Sequence, residues 1–224
     1  MMSKVLFEQD GEVGIITISD PPLNLFGLEL IAALITATAE AQAAPIRALL
    51  LRSEGEHFTA GAQVDEVFGG LTEAEGAERI EGFLELAQRT ERLPFPTLAA
   101  VRGLCLAAGL ETVLTLDLIW ASDTAQFAFA EPIIGLTPII GGAYRLAARV
   151  GTGRAIETVF RRGRIRRQRS PSGASSIVCC QTPSSTRSRS RSRTGSQPAR
   201  RSPATSPRNC CAPTARKAWP QPTG

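Results

Sequence analysis

At Phe160 the chain changes character, and that break decides how much of it can fold. All 21 acidic residues and 10 of the 25 Lys and Arg lie in residues 1–160, which carry −11. Residues 161–224 hold the other 15 basic residues and no acid, a charge of +15. The overall +4 describes neither part, so the basic balance is poor evidence for a nucleic-acid partner of the whole protein. Beyond Phe160 the chain is mostly Ser, Thr, Arg and Pro with few large apolar residues. Such a segment cannot bury enough surface to offset its chain entropy, and disorder is the expectation. The sequence therefore divides into a core over 1–160 and an Arg/Ser/Pro-rich, low-complexity tail over 161–224.

Within the core, apolar periodicity alternates between strand and helix. Val5–Phe7 and Val13–Ile18 are β-branched and alternating around Asp10-Gly11, which predicts a hairpin ended by Pro21-Pro22. Apolar residues at helical spacing from Leu28 to about Ala43 predict a helix closed by Pro45, and Ile46–Leu51 reads as a buried strand. A loop of small residues running into a helix start is read over S-E-G-E-H-F-T-A-G-A-Q-V-D-E-V. Thr72-Glu73-Ala74-Glu75 opens a long amphipathic helix to about Arg92, and Thr97–Val101 is a buried strand. A buried helix follows over Ala107–Leu116, strands over Leu118–Ala121 and Gln126–Phe129, and helices over Gly141–Val150 and Arg154–Phe160. Strands alternating with helices predict an α/β fold with parallel pairing.

Several function classes lose support at once. No run of 18 apolar residues spans a membrane, and the N-terminus lacks the apolar core of a signal peptide. Cys105 stands alone in an apolar stretch and reads as a small core residue of a reduced compartment, so a cytoplasmic location is expected. One His and scattered Cys suggest no metal site. His57 reads as a loop residue.

The stretch Val101–Glu131 concentrates the chemistry. A small-residue turn opens a helix, Glu111 lies one helical turn in, and Glu131 closes a strand-like run. By spacing alone a helical Glu is usually a solvated face residue, and an A-G-A run is most often a packing turn. Four segments in order change that weighting: P-P-L-N-L (21–25), H-F-T-A-G-A (57–62), R-G-L-C-L-A-A-G-L-E (102–111) and A-Q-F-A-F-A-E-P-I-I-G-L-T-P-I-I-G-G (125–142). Over about residues 3–160 the chain resembles the enoyl-CoA hydratase/isomerase (crotonase) family.

The resemblance implies a crotonase-like spiral of ββα units with parallel sheets, acting on an acyl-CoA thioester with no cofactor, coenzyme A being part of the substrate. Such thioesters react at their α and β carbons when charge can collect on the carbonyl oxygen, and two backbone N–H groups aimed at it stabilise the enolate. By resemblance these donors are the amides of Ala62 and Ala108, with Ala60, Gly61 and Gly109 as substrate-binding neighbours. Glu111 matches the residue that deprotonates water for attack on the β carbon, and Glu131 the residue that handles the α-carbon proton. Retaining both favours syn-hydration of a 2-enoyl-CoA over isomerisation. Ala107 and Ala108 stand where the family usually has glycine, Gln63 replaces a common acid, and Ile139-Ile140 replace a Gly-containing pair, a change expected to reshape the acyl pocket. A homotrimer or dimer of trimers is also implied, and no membrane.

The tail admits two origins. One is a phosphate-binding basic arm, which the near absence of aromatics disfavours. The other is a shifted reading frame. A GC-rich coding of the family's common E-W-G-I-V-N-R-V-L-P-D, read one base on, translates as S-G-A-S-S-I-V-C-C-Q-T, the sequence of residues 172–182. A shift accounts together for the missing acids, the paired cysteines and the Arg/Ser/Pro bias. Family C-terminal helices cover the acyl-CoA site, so this reading expects impaired activity and a weakened trimer; a non-catalytic remnant is the alternative.

Overall fold

The computed structural model describes residues 4–70, 72–160, 168–169 and 175–176, all within one compact unit, Met1–Pro183. In chain order its elements are β1 (Val5–Asp10), β2 (Val13–Ile18), α1 (Leu28–Ala43), β3 (Ala48–Ser53), α2 (Val64–Phe68), α3 (Glu73–Glu91), β4 (Thr97–Val101) and β5 (Leu104–Leu106). Then come α4 (Ala108–Val113), β6 (Leu118–Ala121), β7 (Gln126–Ala128), a 3₁₀ turn at Glu131–Ile133, α5 (Gly142–Val150), α6 (Thr152–Phe160), β8 (Gln168–Arg169) and β9 (Ser175–Ser176).

The N-terminal hairpin forms as its alternation predicts, β1 antiparallel to β2 with Val5 opposite Ile18. From β2 through β3 and β4 to β6 the pairing is parallel. These strands are apolar on alternate residues, and Ile16, Ile18, Leu49, Leu51, Ala99, Val101 and Ile119 are all buried. Helix α1 packs against the N-terminal hairpin and α3 and buries Leu30, Ile31, Leu34, Ala37 and Ala41, the stripe that a 3.6-residue period places on one face. The start of α3 is fixed by a capping box: Glu75 N–H donates to Thr72 Oγ1 at 3.4 Å and Thr72 N–H donates back to Glu75 Oε2 at 2.9 Å. No helix among the described residues is long and apolar enough to cross a membrane.

Two features depart from the periodicity. Leu104–Leu106, which reads as part of a turn, is β5, a strand paired in parallel with β7 (Leu104↔Gln126, Cys105↔Phe127, Leu106↔Ala128) in a separate two-stranded sheet. Three residues are too few to display a period, so only the partner strand reveals them. Helix α4 is six residues long, ending at Val113 rather than Leu116.

The expected disorder of the tail falls mostly outside the described residues. Within it, β9 pairs antiparallel with β6 through Trp120↔Ser176 and with β8 through Gln168↔Ser176. These two-residue strands, absent from the sequence reading, rest on backbone pairing that needs no side-chain pattern.

Candidate active site

The 57–62 loop is placed by the turn before α1. Asn24 is fully buried at φ +49°, and its side-chain amide donates to the carbonyls of Glu54 and His57, both at 2.9 Å, while its Oδ1 accepts from Asp20 N–H at 2.8 Å. Its neighbours extend the seam: Ala60 N–H donates to Leu23 O, Phe26 N–H to Gly61 O and Gln63 N–H to Phe26 O. His57 works in the same scaffold, its Nδ1 accepting from Leu104 N–H at 3.4 Å. Gly61 adopts φ +109°, where a side chain is strained, and a methyl there would also crowd the Ala107 Cβ at 3.1 Å.

The second corner comes from the β5–β7 ladder. Ala107 N–H donates to Ala128 O at 3.0 Å, and the chain then turns sharply at Ala107 (φ +47°, ψ −123°) to enter α4. This conformation is costly for a residue with a Cβ, by about 1–3 kcal/mol. The family's customary glycine would carry no such strain. Ala107→Gly is therefore expected to stabilise the fold by roughly 1 kcal/mol after glycine's extra chain entropy is deducted. Chemical denaturation reads this directly, and an unchanged or lowered midpoint would count against strain at this turn.

The two corners meet at one cavity of about 200 Å³, lined by Ala60, Ala62, Ala107, Ala108, Glu111 and Glu131 together with apolar side chains that include Phe68, Phe83, Ile134, Leu136, Ile139 and Ile140. The amides of Ala62 and Ala108 meet no acceptor among the described residues. Gly61 and Gly109 stand behind the wall rather than on it: the α-carbon of Gly109 is so close to Thr59 that a methyl would lie 1.9 Å from its Cγ2.

Glu111 is buried, 1% exposed, on α4. Its Oε1 accepts two backbone bonds, from Gly142 N–H at 2.7 Å and Ile140 N–H at 3.1 Å. Burial raises its carboxyl from the ordinary range to about 7; the Gly142 amide opposes the rise, nearby Glu131 adds to it, and Ile140 and Arg145 oppose it. Glu131 enters on the 3₁₀ turn after β7 and is 9% exposed. Neither of its carboxyl oxygens has a hydrogen-bond partner among the described residues. Burial raises its carboxyl also, and the amides of Glu131 itself and of Ala130, outside bonding geometry, only partly counter this. A buried carboxyl with no donor is held best in its protonated form until something in the cavity offers a partner.

Sequence reasoning did not anticipate the strap over Glu111. Residues 140–142 present two main-chain donors, which leave no mark in side-chain pattern. Arg145, 7% exposed, ties the strap down by donating to the Ile140 carbonyl and, with its fork, to Glu91. The Gly141-Gly142 pair was the only visible signal: a methyl on Gly142 would lie 2.6 Å from Glu111 Cγ.

A parallel-sheet core seats two buried carboxyls around one apolar cavity whose wall includes Ala62 and Ala108, a set of groups with which acid–base chemistry is possible. The statistical model of the enoyl-CoA hydratase/isomerase family matches residues 8–171, and the chain belongs to that family. It is 32% identical over 164 residues to a short-chain-enoyl-CoA hydratase of Clostridium acetobutylicum, covering 71% of this chain and 62% of that one. It is 28% identical over 159 residues to a probable enoyl-CoA hydratase of Bacillus subtilis, covering 70% and 62%. Among solved structures, DspI of Pseudomonas aeruginosa superposes with a TM-score of 0.69 at 29% identity, over 72% of this chain and 62% of that one. The chain thus matches about 62% of the length of these curated relatives.

Proposed function

We propose that the site adds water across the double bond of a 2-enoyl-CoA thioester. The observation that carries this reading is the pairing of two differently served carboxyls on one apolar cavity: Glu111 receives two backbone donors, and Glu131 receives none among the described residues. The thioester oxygen would accept from the amides of Ala62 and Ala108. Glu111, titrating near 7, is available as a base close to neutral pH. It takes a proton from water as the water oxygen bonds to the β carbon, and the π electrons move toward the thioester oxygen. Glu131, whose carboxyl burial raises above the ordinary range, acts as the acid: in the reacting form it carries the proton that the α carbon receives as the enolate collapses. One water is consumed, and proton exchange with solvent resets both acids. The reaction needs no cofactor beyond the coenzyme A that the substrate carries.

The cavity's flank is open: Ile133, Ile134 and Ile139 are 61%, 53% and 39% exposed. With so much apolar wall facing water, and about 62% of the relatives' length matched, turnover is expected to be slow relative to full-length hydratases. Purified protein with crotonyl-CoA tests both halves. Loss of the conjugated-thioester absorbance with formation of 3-hydroxybutyryl-CoA supports hydration, whereas substrate binding without product would leave only a remnant. A rate typical of a full enzyme would sink the claim of impairment. Conversion of a 3-enoyl-CoA without any hydration would instead favour isomerisation. The shifted-frame origin of 161–224 is decided separately by the gene's nucleotide sequence, where an undisturbed frame shared by close relatives would refute it.

A further inference from the structure

Glu91 breaks a local rule. It is the last residue of α3, where the partial negative charge of the helix end disfavours an acid. Its carboxylate nevertheless receives both arms of one guanidinium: Arg145 Nε to Oε1 at 2.6 Å and Nη2 to Oε2 at 3.0 Å. The third arm, Nη1, donates to the carbonyl of Ile140. The other side of that same residue, its N–H, donates to Glu111 Oε1. The Tyr144 ring centroid lies 4.8 Å from the guanidinium carbon, within cation–π range. An unbroken chain of bonds therefore runs from the end of α3, through Arg145 on α5 and the backbone of Ile140, to the carboxyl on α4.

We propose that Arg145 and Glu91 are positioning residues for Glu111: the pair anchors the 140–142 strap so that the Ile140 amide stays on the Glu111 carboxyl and aims it into the cavity. Neither residue touches substrate. The planar fork is what the task requires, since a single group must grip a carboxylate bidentately and a carbonyl at once, which an ammonium on a flexible stem does not do. The proposal rests on the reading of Glu111 as the base, but its geometry can be tested without any turnover.

The charged groups acting on Glu111 are Glu131, from the 3₁₀ turn, and Arg145, from α5, with the amides of Gly142 and Ile140 as its direct partners. This makes the sign of the test decisive. In Glu91→Gln a negative charge is removed, and by field alone Glu111 would titrate lower. If the strap loosens and the Ile140 donor is lost, Glu111 titrates higher, by about one pH unit for one bond to a charged acceptor. The measurement is the carboxyl ¹³C titration of Glu111 in labelled protein, assigned with Glu111→Gln, together with hydrogen exchange at the Ile140 amide. Glu91→Gln keeps a half-exposed polar side chain and is the main variant; Arg145→Lys is the companion.

The expected result is an upward shift of Glu111 and roughly tenfold faster exchange at Ile140 in both variants. An unmoved or lowered titration with unchanged exchange would overturn the proposal and leave the pair as a plain brace between α3 and α5, whatever its effect on Tm. A loosened strap in a protein that hydrates no enoyl-CoA would uphold the positioning and refute only the functional reading.

Discussion

Glu111→Gln is expected to lose about 10³-fold in hydration rate, the scale of a missing general base, while gaining stability above neutral pH. The two effects have one cause. Burial raises the folded-state carboxyl of Glu111 from 4.5 to about 7, so the folded protein holds a proton that the unfolded chain has released. Stability associated with this group is fully present below about pH 4.5 and is lost as pH rises through about 7. The total is about 3 kcal/mol. Glutamine keeps an acceptor for the Ile140 and Gly142 amides and never ionises. Its Tm advantage should therefore be near zero at pH 5 and grow to several degrees by pH 8. A difference that stays flat across this range would show that Glu111 is not the buried acid described, and a retained hydration rate would remove it from the mechanism.

Gly142→Ala is expected to cost both function and fold. Its methyl would lie 2.6 Å from Glu111 Cγ, 2.8 Å from Phe129 Cε1 and 2.9 Å from Glu111 Oε1. Neither neighbour has a free end to swing away, because Phe129 is 1% exposed and Glu111 is held by the strap. Something must shift, and overpacking of this kind costs about 1–3 kcal/mol. The element most easily displaced is the Glu111 carboxyl, and a misplacement near 1 Å can cost about 10²-fold in rate. Steady-state kinetics should show the loss mainly in kcat, since the amides of Ala62 and Ala108 that would receive the thioester lie elsewhere on the wall. Wild-type kcat in this variant would mean that the strap yields freely and does not set the carboxyl.

These expectations depend on parts of the molecule that were unequally legible. The hairpin, α1, α3 and the parallel strands follow from periodicity and from punctuation by proline and the Thr72 cap, because burying one face of a strand or helix forces a repeat into the sequence. Ala62, Ala108, Glu111 and Glu131 were reached through motif resemblance, and the fold brings all four to one cavity. The short strand β5 was hidden, and so was the strain at Ala107, since the dihedral angle of an alanine leaves no trace in its identity. The strap and its Arg145–Glu91 anchor were hidden for a related reason: 54 positions separate the two residues.

The sequence by itself determined where the apolar periodicity stops and which residue types were present for acid–base chemistry. Charge balance and apolar period are summed along the chain and need no partner. What only the tertiary structure decided is the unequal standing of the two carboxyls. Glu111 and Glu131 are the same residue type in apolar contexts, and nothing local separates them. One receives two main-chain donors from the strap that the α3–α5 ion pair ties down, and the other meets none among the described residues. A carboxyl's proton affinity is set by what surrounds it in space, and that surrounding exists only after the chain has folded.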